Sequence, residues 1–236
     1  MKSILHKADT RGHASHGWLE SWHTFSFASY HDPARIHFGA LRVLNDDSVS
    51  GGMGFGMHPH DNMEIITIPL EGQLEHKDSM GNSGTISKGE VQVMSAGTGI
   101  QHAEKNKNLN EIVKFLQIWV FPNKKNVTPR YDQKTFNLSA ATNKLITIVS
   151  PMGDPEGLNI YQDAWFNLGK INQDHEIQYE LRKKENGVYL FVLEGEISVN
   201  GQKLNRRDAI GITDSSSISV KASKDSELLL MELPMN

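Results

Sequence analysis

An all-β chain built as two similar barrels in tandem is what this sequence predicts. Three observations carry that expectation: many short strand-type runs between turn signals, almost no helical periodicity, and an internal repeat. The runs include Ile65-Ile66-Thr67-Ile68, Val91-Gln92-Val93-Met94, Ile112 to Phe121 and Leu145 to Val149. Val188 to Leu193, Ile197-Ser198-Val199 and Leu228-Leu229-Leu230-Met231 follow. Short strands at regular intervals are the pattern of a β-sandwich or barrel.

The one helical candidate is short, around Ala141 to Lys144. The repeat aligns IPLEGQLEH (Ile68 to His76) with FVLEGEISV (Phe191 to Val199), and at a slightly smaller offset Gly89-Glu90-Val91 with Arg207-Asp208-Ala209. Two related β units in series explain both matches. Between them Pro122 to Thr142, rich in Asn, Lys and Thr, reads as a connection. The expected boundary is near residue 135, giving an N-terminal unit of residues 1–134 and a C-terminal unit of residues 135–236.

No tract approaches the roughly 20 apolar residues that a bilayer span needs, so no membrane partner is expected. The first twelve residues lack an apolar signal core, and the chain has no cysteine, which together place it in the cytoplasm. With a net charge of −4 and scattered basic residues, nucleic acid is not an expected partner. The chain is read as a monomer. Any metal site must use imidazole and carboxylate ligands, which suit iron, manganese, nickel, copper or zinc.

His58-Pro59-His60 places two imidazoles at i and i+2, on the same face of a strand. His102-Ala103-Glu104 repeats the spacing with one imidazole and one carboxylate. If the two strands face one another, the four side chains converge, and three neutral imidazoles with one carboxylate leave a divalent ion with open positions, as catalytic sites require. Gly52, Gly72 and Gly99 stand where tight turns at a barrel rim are needed.

Around these residues the sequence resembles a known family. The stretch from Gly52 through His58, His60 and Glu64 to Gly72 looks like the first cupin motif. Gly89 through Gly99 and His102 to Asn106 looks like the second, with Gly97 where proline is usual. More closely, GWLESWHTFSFASYHDP (Gly17 to Pro33), ALRVLNDD (Ala40 to Asp47), FGMHPHDNMEI (Phe55 to Ile65), EHKDSMGNSG (Glu75 to Gly84) and MSAGTGIQHAEKN (Met94 to Asn106) resemble bacterial pirins. The match is dense in the N-terminal half and thin in the C-terminal half.

The resemblance implies a bicupin, two double-stranded β-helix jelly rolls, with non-haem Fe(II) on His58, His60, His102 and Glu104. It also implies cleavage of a flavonol such as quercetin by dioxygen, with loss of carbon monoxide. Glu104 is then also the general base for the flavonol hydroxyl. The general cupin motif would instead use Glu64, which stays as the alternative carboxylate. A second reading makes the same iron domain a non-enzymatic redox sensor that binds a regulatory protein, and a third makes it a cupin isomerase or hydrolase.

Applied to the other half, the repeat offset carries His58, His60 and Glu64 onto Leu181, Lys183 and Gly187, so the C-terminal unit is expected to bind no metal. His175, the one histidine there, reads as a surface or packing residue. His6, His13, His16, His23, His31 and His37 lack a second convergent pair. Trp18, Trp22, Phe25, Phe27, Tyr30 and Phe38 would either cover the first barrel's mouth or pack as ordinary core.

Overall fold

A computed structural model describes residues 1–236, apart from the side chains of residues 140 and 141. The first half of the chain forms β1 (Lys2–His6), β2 (Gly12–Ser15), β3 (Leu19–His23), β4 (Leu41–Val49), β5 (Gly54–His60) and β6 (Glu64–Glu71). It continues through β7 (Gln73–Asp78), β8 (Ser83–Ser87), β9 (Glu90–Ser95), β10 (Ile100–Asn106), β11 (Val113–Val120) and β12 (Arg130–Thr135). The second half forms β13 (Lys144–Pro151), β14 (Leu158–Ile160), β15 (Trp165–Ile171), β16 (Glu176–Glu180) and β17 (Asn186–Glu194). The chain ends with β18 (Glu196–Val199), β19 (Gln202–Asn205), β20 (Ala209–Thr213), β21 (Ser217–Ala222) and β22 (Ser226–Pro234).

These strands make two jelly rolls, each a seven-stranded sheet facing a four-stranded one. The orders are β12-β9-β6-β11-β4-β3-β2 with β5-β10-β7-β8, and β1-β20-β17-β22-β15-β13-β14 with β16-β21-β18-β19. Element by element the two orders correspond, which is the repeat seen in three dimensions; Gly72 and Gly195, the glycines of the two Leu-Glu-Gly turns, both have positive φ. The barrels are open sandwiches, because the facing sheets share no backbone ladder.

One strand is exchanged between the halves. β1 pairs antiparallel with β20, Lys2 opposite Thr213 and His6 opposite Ala209, so residues 2–6 complete the C-terminal sheet in the place β12 occupies in the N-terminal one. The first half of the chain is thus not self-contained.

The helix expected at Ala141 to Lys144 is absent. A single 3-10 turn, Leu138–Ala141, ends there and the chain enters β13 at Lys144. Four residues cannot repay helix nucleation when a paired strand is available to the following run.

Strands with one wet face alternate: β7 buries Leu74, His76 and Asp78 and exposes Gln73, Glu75 and Lys77. By contrast, β6, β11, β17 and β22 are buried almost throughout because both faces are covered. One face of each large sheet packs against the other half, where Ile66, Ile68, Leu116 and Ile118 share a core with Phe166, Tyr189, Phe191 and Met231. The opposite faces look into the barrels, and there the halves differ. The C-terminal barrel is filled by Val188, Leu190, Ile197, Ile210, Ile212 and Val220. Its N-terminal counterpart carries His76, His102, Glu104, Thr67 and Gln117 at buried inward positions.

Candidate metal centre

β5 and β10 deliver the paired residues that the sequence singles out. They run antiparallel with His102 opposite His58 and Ile100 opposite His60, and a bulge between His102 and Glu104 then sets Glu104 opposite Phe55. Pro59 is tolerated on β5 because β5 is a sheet edge, where a missing N–H breaks no ladder. Gly54 is required at the bulge: a Cβ there would lie 2.2 Å from the Glu104 carbonyl oxygen.

The three imidazoles converge. Ring centroids are 4.9 Å apart for His58 and His60, 4.4 Å for His58 and His102, and 4.9 Å for His60 and His102. His60 Nε2 and His102 Nε2 face each other at 3.0 Å. His58 Nδ1 donates to the Gly56 carbonyl at 2.8 Å, which leaves Nε2 as the ring atom available to a ligand. Burial, then the neighbouring imidazoles, push His60 down to about 4 and His102 to about 2, so both are neutral at physiological pH. Three converging rings, one nitrogen from each within 4.8 Å of the others, fit a divalent ion.

Glu104 lies beneath them, 2% exposed. Its Oε2 accepts from Gln117 Nε2 at 2.8 Å and its Oε1 from Thr67 Oγ1 at 3.3 Å. Burial raises its pKa to about 7 against those two hydrogen bonds. Glu104 groups with His102 and with His76, a residue that sequence reasoning passed over. His76 is opposite Glu104 on β7, packs at a tilt against Tyr131 with centroids 4.8 Å apart, and approaches Asp78 at 3.4 Å. Only the β7–β10 pairing brings it in.

Glu64 is not brought to this cluster. On β6 it has opposite parity to Thr67, which touches Glu104, and its carboxylate accepts from Ser95 Oγ at 2.7 Å on the other face.

Above the imidazoles opens a cavity of about 770 Å³, within the range of small-molecule sites. Trp18, Phe27, Phe55 and Trp119 form its apolar walls, and His23, Asn45, Asp47 and Gln117 its polar ones. Burial raises Asp47 to about 7 against its hydrogen bond from Ser21. The N-terminal aromatics thus divide: Trp18 and Phe27 line the cavity, whereas Phe25 and Phe38 pack on Tyr189 in the core. Gln117 had a signal in the sequence, a lone amide inside the apolar run Ile112 to Phe121.

In the second half β16 takes the place of β5 and β21 that of β10. Register puts Gln178, Glu180 and Ser219 where His58, His60 and His102 stand, because Glu180 is opposite Ser217 as His60 is opposite Ile100. Leu181 and Lys183, reached by the sequence offset, fall instead in the loop before β17, which is longer than the loop between β5 and β6. Among the described residues neither metal-capable cluster lies in this half, and His175 is exposed.

Comparisons with known proteins agree with this architecture. The pirin family model matches residues 5–120, and that of the quercetinase C-terminal cupin domain matches residues 147–233. The quercetin 2,3-dioxygenase of Escherichia coli K12 is 46% identical over 234 residues, 98% of this chain and 98% of its own. A pirin-like protein of Caulobacter vibrioides is 41% identical over 225 residues, 95% of this chain and 96% of its own. The crystal structure of E. coli YhhW superposes with a TM-score of 0.95 at 43% identity, covering 100% of this chain and 99% of that one. A second YhhW structure, a bacterial pirin in complex with nickel(II), gives 0.94 at the same identity, with full coverage of both chains. With close relatives spanning its whole length and the same two-unit cupin fold, the chain belongs to the pirin family.

Proposed function

We propose that this protein is a metal-dependent dioxygenase that opens the ring of a flavonol such as quercetin with dioxygen. Its metal ligands are His58, His60, His102 and Glu104, its ion is Fe(II), and the metal belongs to the unit of residues 1–134. The observation that supports this most is the convergence of three imidazoles, two of them held neutral, at the floor of an aromatic-walled cavity beside a buried carboxylate. That the most similar relatives include a quercetin 2,3-dioxygenase supports the choice of substrate. A cysteine-free chain suits the cytoplasm, where we place it.

A divalent ion held there supplies Lewis acidity toward a substrate hydroxyl and, as iron, redox capacity for dioxygen chemistry. The protein does the rest. Trp18, Phe27, Phe55 and Trp119 hold a planar ring system and keep water from the reacting face. Glu104 takes the proton of the flavonol 3-hydroxyl, a task for which a carboxyl titrating near neutrality is well matched. Gln117 and Thr67 hold that carboxyl in place.

The test is to incubate iron-loaded protein with quercetin and follow its visible absorbance under air and under nitrogen. Loss that requires air is expected. No loss in air would leave the non-enzymatic sensor reading, and equal loss under nitrogen would favour an isomerase or hydrolase.

A further inference from the structure

The cavity has a second polar wall, set away from the imidazoles. Across the large sheet Gln117 of β11 is opposite Asn45 of β4, and Asn45 is opposite His23 of β3. Gln117 already donates to Glu104. The row Glu104, Gln117, Asn45, His23 therefore leads from the metal-facing carboxylate outward, and at about 4.8 Å per strand His23 is roughly 10 Å beyond Gln117. Asp47, two residues along β4, shares the face and holds Ser21 Oγ as a hydrogen-bond donor. All five line the cavity with Ser21.

Two of these side chains are unsatisfied. His23 and Asn45 are each 2% exposed, yet among the described residues His23 Nδ1 and Asn45 Oδ1 have no hydrogen-bond partner. Buried polar side chains are nearly always paired, so a histidine and an asparagine that line a cavity and make no side-chain hydrogen bond among the described residues leave polar groups there for a partner from outside the chain. The aromatic wall runs the same way. His60 meets Trp119 at 4.9 Å, Trp119 meets Phe27 at 5.3 Å, and Phe27 meets His23 at 5.2 Å, all edge to face.

We propose that Asn45 and His23, flanked by Asp47 and Ser21, form a subsite that reads the hydroxyl groups on the end of the ligand remote from the metal. The ligand class is a planar polyphenol long enough to span both ends, with hydrogen-bonding hydroxyls at each. For what happens at the near end this rests on the flavonol-cleaving reading; the far end rests on the two unpaired side chains that line the cavity and the row that leads to them. Discrimination should be strong, because a site built to pair a hydroxyl rejects the analogue that lacks it.

The probes are quercetin and 3-hydroxyflavone, which keeps the 3-hydroxyl and lacks those of the outer rings. Calorimetric titration of zinc-loaded protein should find quercetin binding at least about tenfold more tightly, the factor expected for one good hydrogen bond. In Asn45→Leu and in His23→Phe that ratio should collapse toward one. Equal affinity in the wild type, or an undiminished ratio in both folded variants, would overturn the subsite. Because the wild-type comparison needs no variant, an unfolded substitution does not block the test. If quercetin is never consumed in air but the ratio holds and falls with Asn45→Leu, the subsite stands and the proposed reaction fails. Consumption of both flavonols with no difference in affinity has the opposite meaning.

Discussion

At the residue scale the site is a contest between burial and charge. His102 is 1% exposed among other imidazoles, and its Nδ1 has no partner among the described residues, so a protonated ring is strongly disfavoured. That environment suits the proposed role of metal ligand. Replacing it, His102→Ala, should remove bound metal and oxygen-dependent quercetin loss together, as elemental analysis and absorbance would record; retained turnover in a metal-free variant would refute the proposed ligand set. His6 illustrates the same physics away from the site. Its Nδ1 pairs with Tyr189 Oη at 2.7 Å, and burial, then Arg35, lowers its pKa from 6.5 to about 4. The unfolded chain therefore binds a proton between those values that the folded chain does not. The stability due to this neutral ring is complete above pH 6.5 and is lost as pH falls toward 4. His60 and His102 act in the same direction, so the contribution of His6 is isolated by comparing melting temperatures of wild type and His6→Gln across this window. The gap between them should shrink as pH falls.

At the element scale, β5 and β10 matter more than any single side chain, because their register sets which rings meet. β10 keeps its two-residue alternation, so His102 and Glu104 share the inward face; the bulge places its extra residue on β5, and Gly54 makes room for the Glu104 backbone. Gly54→Ala would force a Cβ into the Glu104 carbonyl, shifting one strand against the other. A loss of about 1–3 kcal/mol in denaturant unfolding is expected, with a fall in metal affinity that Gly56→Ala, where no heavy atom lies within 4 Å, should not cause. The expected His58-x-His60 and His102-x-Glu104 faces were legible because side-chain direction on a strand repeats every two residues, whatever the strand pairs with. His76, Asn45 and Gln117 were not legible as a group. They come from β7, β4 and β11, and only the pairing of those strands with β10 and with one another gathers them.

At the scale of the whole molecule the halves are bound by more than their apolar interface. Asp46, the neighbour of Asp47 on β4, accepts from Arg207 of the second half at 2.9 Å and from Arg11 at 3.3 Å, with all three side chains largely buried. Asp46 is the one carboxylate between two guanidinium groups, so removing it leaves both positive charges uncompensated. Asp46→Leu should therefore cost about 3 kcal/mol, read as a lower melting temperature, and should loosen the strand that carries Asn45 and Asp47. Such a loss would tie the apolar C-terminal barrel to the integrity of the site it does not itself contain.

From the sequence alone came the all-β class, the tandem repeat, the histidine-bearing strands and the absence of chelating pairs in the second half. Each follows from local period, turn residues or composition, which a linear chain carries openly. Tertiary structure decided the exchange of β1 into the C-terminal sheet, the seating of Glu64 on the outer face, the approach of His76 to Glu104 and the orphan atoms of His23 and Asn45. Those depend on which strands become neighbours and in what register. That choice is made by sheets packing as wholes, with core residues drawn from both ends of the chain, and no short stretch of sequence contains it.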